Sequence, residues 1–163
     1  ALHFAIEHGA DIVNMSLGGP PDRLLARLID AGLARGVTVI ASADRDEAGG
    51  GFPASHAGVI AVSDLADAAA PKGVVGAPGS GIPTTQPGAK WYLVNGSSYA
   101  AAHVSGLVAL MREHLRAHRY SQLAFVAVPG GGSFIDARAT LSQAIGRCDN
   151  ACQRMQRARQ AAN

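Results

Sequence analysis

The sequence predicts an α/β fold built on a parallel sheet, and three observations carry that prediction. Residues 11–16 and 37–41 are short apolar runs rich in β-branched side chains, the kind that suits strands buried on both faces. Between them Leu24, Leu25, Leu28, Ile29 and Leu33 recur at helical spacing over residues 21–35, with charged residues on the remaining face and Gly36 as the stop. A strand, a helix and a strand in that order make a right-handed βαβ unit, whose two strands lie parallel.

The other elements follow in chain order. Ala1, Leu2, Phe4, Ala5 and Ile6, closed by His8 and Gly9, form the end of a helix with its glycine stop, so an upstream portion is expected. Residues 59–62 are a further buried strand. Pro87-Gly88 marks a turn before a strand at 91–94, which leads into a glycine-serine turn and a long apolar helix. Past Gly106 the residues Leu107, Val108, Leu110 and Met111 predict a helix buried on more than one side. After Arg112 the chain turns charged, as at a helix end reaching solvent; Gly130 to Gly132 form a loop, and the tail from Asp149 is basic and polar. The predicted organisation is one domain over residues 1–146 and a tail over 147–163.

Composition narrows the function classes. A length of 163 residues suits one domain, able to bury roughly 70% of its unfolded surface. A net charge of +2 without a basic block gives no reason to expect nucleic acid. No apolar run approaches the roughly 18 residues of a membrane span, and no segment has the pattern of a signal peptide. Cys148 and Cys152 lie four apart, a spacing that serves either a small disulfide loop or two thiols on one helix face. No metal site follows, because two further ligands are not at hand.

The chemistry concentrates where the glycine turn delivers Ser97 and Ser98 to a helix mouth. The first N–H groups of a helix lack partners within it, and the helix dipole adds partial positive charge, so an anion forming beside Ser98 is stabilised. The residues alone leave two roles open: an N-cap worth about 1 kcal/mol, or a nucleophile with half of an acyl-transfer site around it. Residues 16–19 and 42–45 fall at the carboxyl ends of strands, where ligand sites gather in such sheets. At the first of these, Gly18 and Gly19 leave the main chain open to pair with an added peptide strand, or simply form a turn. His56 is available as a general base, although an exposed loop histidine is the commoner role at such a place.

Several stretches resemble the subtilisin-like serine proteases. Gly96-Ser97-Ser98-Tyr99-Ala100-Ala101-Ala102-His103-Val104-Ser105-Gly106 is similar to the family motif G-T-S-M-A-x-P-H-V-A-G, with Ser97 for Thr, Tyr99 for Met and Ala102 for Pro. Asp11-Ile12-Val13-Asn14-Met15-Ser16-Leu17-Gly18-Gly19-Pro20 resembles D-V-I-N-M-S-L-G-G-P. Residues 36–47 resemble G-V-x-V-V-A-A-A-G-N-E, residues 52–62 resemble Y-P-A-x-x-x-x-V-I-A-V, and residues 74–79 resemble the V-x-A-P-G strand and turn. Residues 134–141 look like the segment that closes such domains.

That resemblance implies a doubly wound, three-layer α/β/α sheet, of which residues 1–146 are the C-terminal half, and an endopeptidase activity. It makes Ser98 the nucleophile, and Ser16, Leu17 and Gly18 the binders of the substrate main chain. Arg45 stands where the family has the Asn whose side chain helps form the oxyanion hole, with Asp44 in place of the preceding Gly. In subtilisin, removing that one donor lowers turnover about 100- to 1,000-fold. Arg45 can donate to an oxyanion, but Asp44, Asp46 and Glu47 are nearer in sequence, so an ion pair at the surface is its expected fate. The Asp and His of the family's triad precede the matched region, so this chain alone is expected to be inactive. The expected partners are a peptide or protein substrate and a covering piece, either the missing N-terminal half or a second copy of the chain. No cofactor is required; the resemblance implies a weak calcium site near Ala54 to Val59 in some relatives, and a secreted or periplasmic location. The other reading is a non-catalytic module that keeps the cleft for peptide binding or assembly, which Arg45 and Asp44 favour.

Overall fold

The computed structural model describes residues 1–64, 73–117 and 123–146. The alanine-rich stretch at 65–72, both cysteines and the basic tail lie outside the described residues. Four strands, β1 (Ile12–Met15), β2 (Thr38–Ser42), β3 (Ile60–Asp64) and β4 (Val75–Ala77), form one parallel sheet in the order β1-β2-β3-β4. Ile12 faces Thr38, Ile40 faces Ile60 and Val62 faces Val75 in its register.

Helices cover both faces, giving three layers. After α1 (Leu2–Glu7), helix α2 (Arg23–Ala34) is the crossover between β1 and β2. It starts two residues later than the expected span of 21–35, because Asp22 caps it and accepts the Leu25 N–H at 2.7 Å. The two-residue strand period divides the core. Val39, Ala41 and Ala61 join Met15 and Ile29 on the α2 side, while Ile40, Val62 and Ala77 pack on Ala100, Ala101, Val104 and Val108 of α3 (Ser97–Ala117). Ile29, Val39, Ile40 and Val62 are fully buried, each such side chain contributing about 1.5–3 kcal/mol of transfer free energy.

The strand expected at 91–94 exists as β6 (Lys90–Val94), but it belongs to an antiparallel hairpin with β5 (Ile82–Gln86), separate from the main sheet. Pro83 inside β5 hides that strand from a propensity reading. Trp91, Tyr92 and Leu93 of the hairpin are exposed.

One expectation about α3 is corrected. Leu107, Val108 and Met111 are buried, but Leu110 is 57% exposed, alongside exposed Ala102, Gly106 and Ala109. Among the described residues only one side of the helix has a layer to pack against. Arg112 lies inside the helix. The helix continues past it, and Arg112 turns back so that Nη2 donates to the Gly36 carbonyl and Nη1 lies 3.8 Å from Asp11. Beyond the Gly131 turn, Phe134 bridges Gly76 and a last helix, α4 (residues 137–146), closes the described fold. Thr140 of α4 is fully buried, its Oγ1 accepting the Val126 N–H at 2.9 Å. Among the described residues β1 pairs only with β2, so one of its edges is open.

Candidate active site

A glycine positions the serine turn, and a second glycine lets it close. Gly96 has φ +143°, a conformation side chains rarely adopt. Its N–H donates to the Gly79 carbonyl at 2.8 Å, and Asn95 Oδ1 accepts the Gly81 N–H at 2.7 Å. At Gly79 a Cβ would stand 2.4 Å from Asp64 Cβ and 2.8 Å from the Gly96 oxygen, so only glycine fits between β3 and the turn. Helix α3 then begins at Ser97, which leaves Gly96 at the position before it and makes Ser98 the second helical residue. Ser98 is thus inside the first turn, where backbone N–H groups lack helical acceptors, and it is partly exposed.

An open cleft of about 460 Å³ brings the predicted residues together. Ser16, Leu17 and Gly18, past the end of β1, line it with Asp44 and Arg45, past the end of β2, and with Ser97 and Ser98 at the mouth of α3. Asn14 Nδ2 donates to Ser16 Oγ at 3.3 Å, and the Ser16 hydroxyl donates to the Ser98 carbonyl, also at 3.3 Å. A larger cavity of about 650 Å³, without Ser98, shares Gly18 and Asp44 and reaches Glu47 and Phe52. Its walls are tied by the Gly19 N–H on the Phe52 carbonyl at 3.0 Å and the Asp44 N–H on the Gly50 carbonyl at 2.8 Å.

Arg45 forms an ion pair, but with a residue distant in sequence. Its Nη2 lies 3.6 Å from Oδ1 of Asp64, whose side chain is only 6% exposed, while the Arg45 side chain is 56% exposed. Asp44 instead turns its Oδ1 to the Asp46 N–H at 3.0 Å. The histidines stand elsewhere, and none lines the cleft among the described residues. His56 Nε2 meets Asp30 Oδ1 of α2 at 2.8 Å and its ring packs edge-on to Phe52. His103 Nδ1 donates to the Pro78 carbonyl at 2.8 Å, and His8 stacks on Phe4.

The loop that the family resemblance associates with calcium offers no carboxylate to a cation. Residues 54–59 have only backbone carbonyls and the Ser55 and His56 side chains to offer, and the His56 carbonyl accepts the Val59 N–H. Calcium takes six to eight oxygen ligands, and the described residues contain no group of three or more His, Cys, Asp or Glu placed to hold a metal.

Sequence reasoning missed Asp64 and Gly79. The only signal for Asp64 was its place at the carboxyl end of a predicted strand; the signal for Gly79 was a glycine after Ala77-Pro78, which reads as a turn rather than as a close approach.

Comparison with known proteins agrees with this geometry. The chain is 34% identical over 124 residues to Subtilisin of Bacillus pumilus, covering 68% of this chain and 45% of the relative. It is 33% identical over 125 residues to Subtilisin E of Bacillus subtilis, covering 68% and 32% respectively. The chain therefore spans less than half the length of these curated relatives. Among solved structures, the self-cleaved protease domain of PatA superposes with a TM-score of 0.74 at 23% identity, over 89% of this chain and 66% of that one. The prenylagaramide maturation protease PagA gives 0.71 at 22%, over 89% and 65%; at such identities the likeness speaks for the fold. The Subtilase family profile matches residues 1–144, and with the serine turn, the parallel sheet and the cleft at its strand ends in register with that match, the chain belongs to the subtilisin-like peptidase family.

Proposed function

We propose that this chain is the serine-bearing half of a subtilisin-like endopeptidase, with Ser98 as its nucleophile. The observation that carries the reading is the opening of Ser98 into the cleft between the ends of β1 and β2, at the mouth of α3. In this reaction Ser98 Oγ bonds to the peptide carbonyl carbon and its proton passes to a histidine from outside these residues. The carbonyl π pair becomes an oxyanion, which collapses to an ester as the amine leaves with that proton. Ser16, Leu17 and Gly18 hold the substrate main chain as an added strand, and the α3 mouth stabilises the oxyanion together with Arg45.

The same reading supplies a partner for two uncovered surfaces, the open edge of β1 and the exposed face of α3 around Leu110. The missing N-terminal half, carrying the Asp and His, covers both; without it the chain is inactive. A secreted or periplasmic location belongs to this proposal and rests on the family resemblance alone. A second reading, a non-catalytic peptide-binding or assembly module, is favoured by Arg45 standing on Asp64. A fluorophosphonate probe applied to the longest natural form of the protein separates the two. Labelling that Ser98→Ala abolishes supports the endopeptidase, and no labelling despite an upstream Asp and His supports the binding module.

A further inference from the structure

Beside the cleft that holds Ser98 lies the cavity of about 650 Å³, and the two share Gly18 and Asp44. A peptide held along residues 16–18 would therefore run past its rim. Among the described residues its only titratable lining groups are two carboxylates, Asp44 and Glu47; Arg45 and Asp46 line the cleft but not this cavity. The backbone brings the two acids together. Glu47 leads into the short turn Ala48–Gly50, and the chain doubles back at Gly51 with φ +69°, where a Cβ would stand 3.1 Å from Glu47 Cβ and 3.6 Å from Asp44 Cβ. Both acidic side chains thus leave the chain beside one glycine, which keeps the space between them open.

Neither acid is paired with a cation among the described residues. Asp44 Oδ1 accepts the Asp46 N–H at 3.0 Å, and Glu47 forms no side-chain hydrogen bond or ion pair. Asp44 stands where the family pattern has glycine, so its charge is a feature of this chain. Two like charges on the wall of a cavity focus a negative potential inside it. The rest of the wall suits a long cationic side chain: Phe52, Pro20 and Pro21 offer apolar surface to its methylene stem, and the carboxylates meet its charged head. The wall is also preformed, since the Gly50 N–H donates to the Glu47 carbonyl at 3.0 Å and the Asp44 N–H to the Gly50 carbonyl at 2.8 Å.

We propose that this cavity is a specificity pocket for a lysine or arginine side chain of the substrate next to the scissile bond, with Asp44 and Glu47 as its determinants. This rests on the reading of Ser98 as nucleophile and adds a substrate class to it.

The test uses the longest natural form of the protein, fluorophosphonate labelling and a peptide series in which one lysine is placed in turn at each position of an otherwise uncharged sequence. Each peptide is matched by one carrying norleucine, which has the lysine stem without the ammonium, and mass spectrometry locates the cleaved bond. Cleavage next to lysine exceeds cleavage next to norleucine on the order of 10-fold in kcat/KM, as two solvent-accessible ion pairs together would give, and the ratio falls as salt is raised. Glu47→Gln, at an exposed side chain without a structural partner, lowers the ratio. Asp44→Asn, which keeps an oxygen for the Asp46 N–H, lowers it as well, and the double variant abolishes the preference. No preference for lysine in the unsubstituted protein, or a preference that is unchanged in Glu47→Gln and in the double variant, overturns the proposal, while labelling of Ser98 leaves the endopeptidase reading standing. Absence of labelling in the unsubstituted protein overturns both.

Discussion

Replacing Gly79 with alanine tests how the site is assembled. Gly79 has no positive φ, so its backbone suits alanine and the objection is one of space. The added Cβ would stand 2.4 Å from Asp64 Cβ, 2.8 Å from the Gly96 oxygen and 3.2 Å from Ala100 Cβ, where carbon atoms are comfortable at about 3.5–4.0 Å. None of the three is the free end of a flexible side chain. The end of β3, the serine turn or the start of α3 must therefore move by about 1 Å. Overpacking costs about 1–3 kcal/mol, and the closeness of the two shortest contacts puts this variant at the upper end, about 3 kcal/mol. Set against a total stability of roughly 5–15 kcal/mol, that is a large share. The displacement also reaches the chemistry, since the Gly96 N–H bonds to the Gly79 carbonyl. Urea denaturation followed by circular dichroism measures the first effect, and the rate of fluorophosphonate labelling at Ser98 in the longest natural form of the protein the second. A Gly79→Ala protein within 0.5 kcal/mol of the unsubstituted one, labelling at the same rate, would refute the close-packed turn.

Thr140→Val keeps the shape of a fully buried side chain but leaves the Val126 N–H without its acceptor; equilibrium denaturation should show a loss of about 1–3 kcal/mol, and no loss would mean that the amide finds another partner. Arg35 beside Glu7, by hydrogen bond and then by charge, lowers the Glu7 pKa below the ordinary glutamate value. Its contribution to stability is therefore present above the unfolded value and disappears as pH falls through the folded one. NMR titration of Glu7 should show this low midpoint, rising in Arg35→Gln and in high salt; a midpoint insensitive to both contradicts the pairing. The open edge of β1 and the exposed Leu110 make the isolated 163-residue chain self-associate or bind an apolar dye. Size-exclusion chromatography with dye fluorescence checks this, and a dilute monomer that binds no dye would count against the uncovered surface.

Much of the molecule was legible in its linear order. The β-branched runs at the first three strands, the helically spaced apolar residues of α2 and the glycine-serine turn before α3 are local signals, because backbone propensity and side-chain period act over a few neighbouring residues. Family resemblance then named Ser98, Ser16, Leu17, Gly18 and Arg45 as one group, and the fold brings all five to one cleft. What linear order left undecided is of another kind. Arg45 pairs with Asp64, 19 positions on, because adjacent strands of a parallel sheet end side by side whatever the length of chain between them. Arg112 folds back to Gly36, and Leu110 stays exposed, because burial depends on which layer a helix face meets. Chain order reports which residues carry chemistry; proximity across strands, which only closing the sheet creates, decides which of them act together.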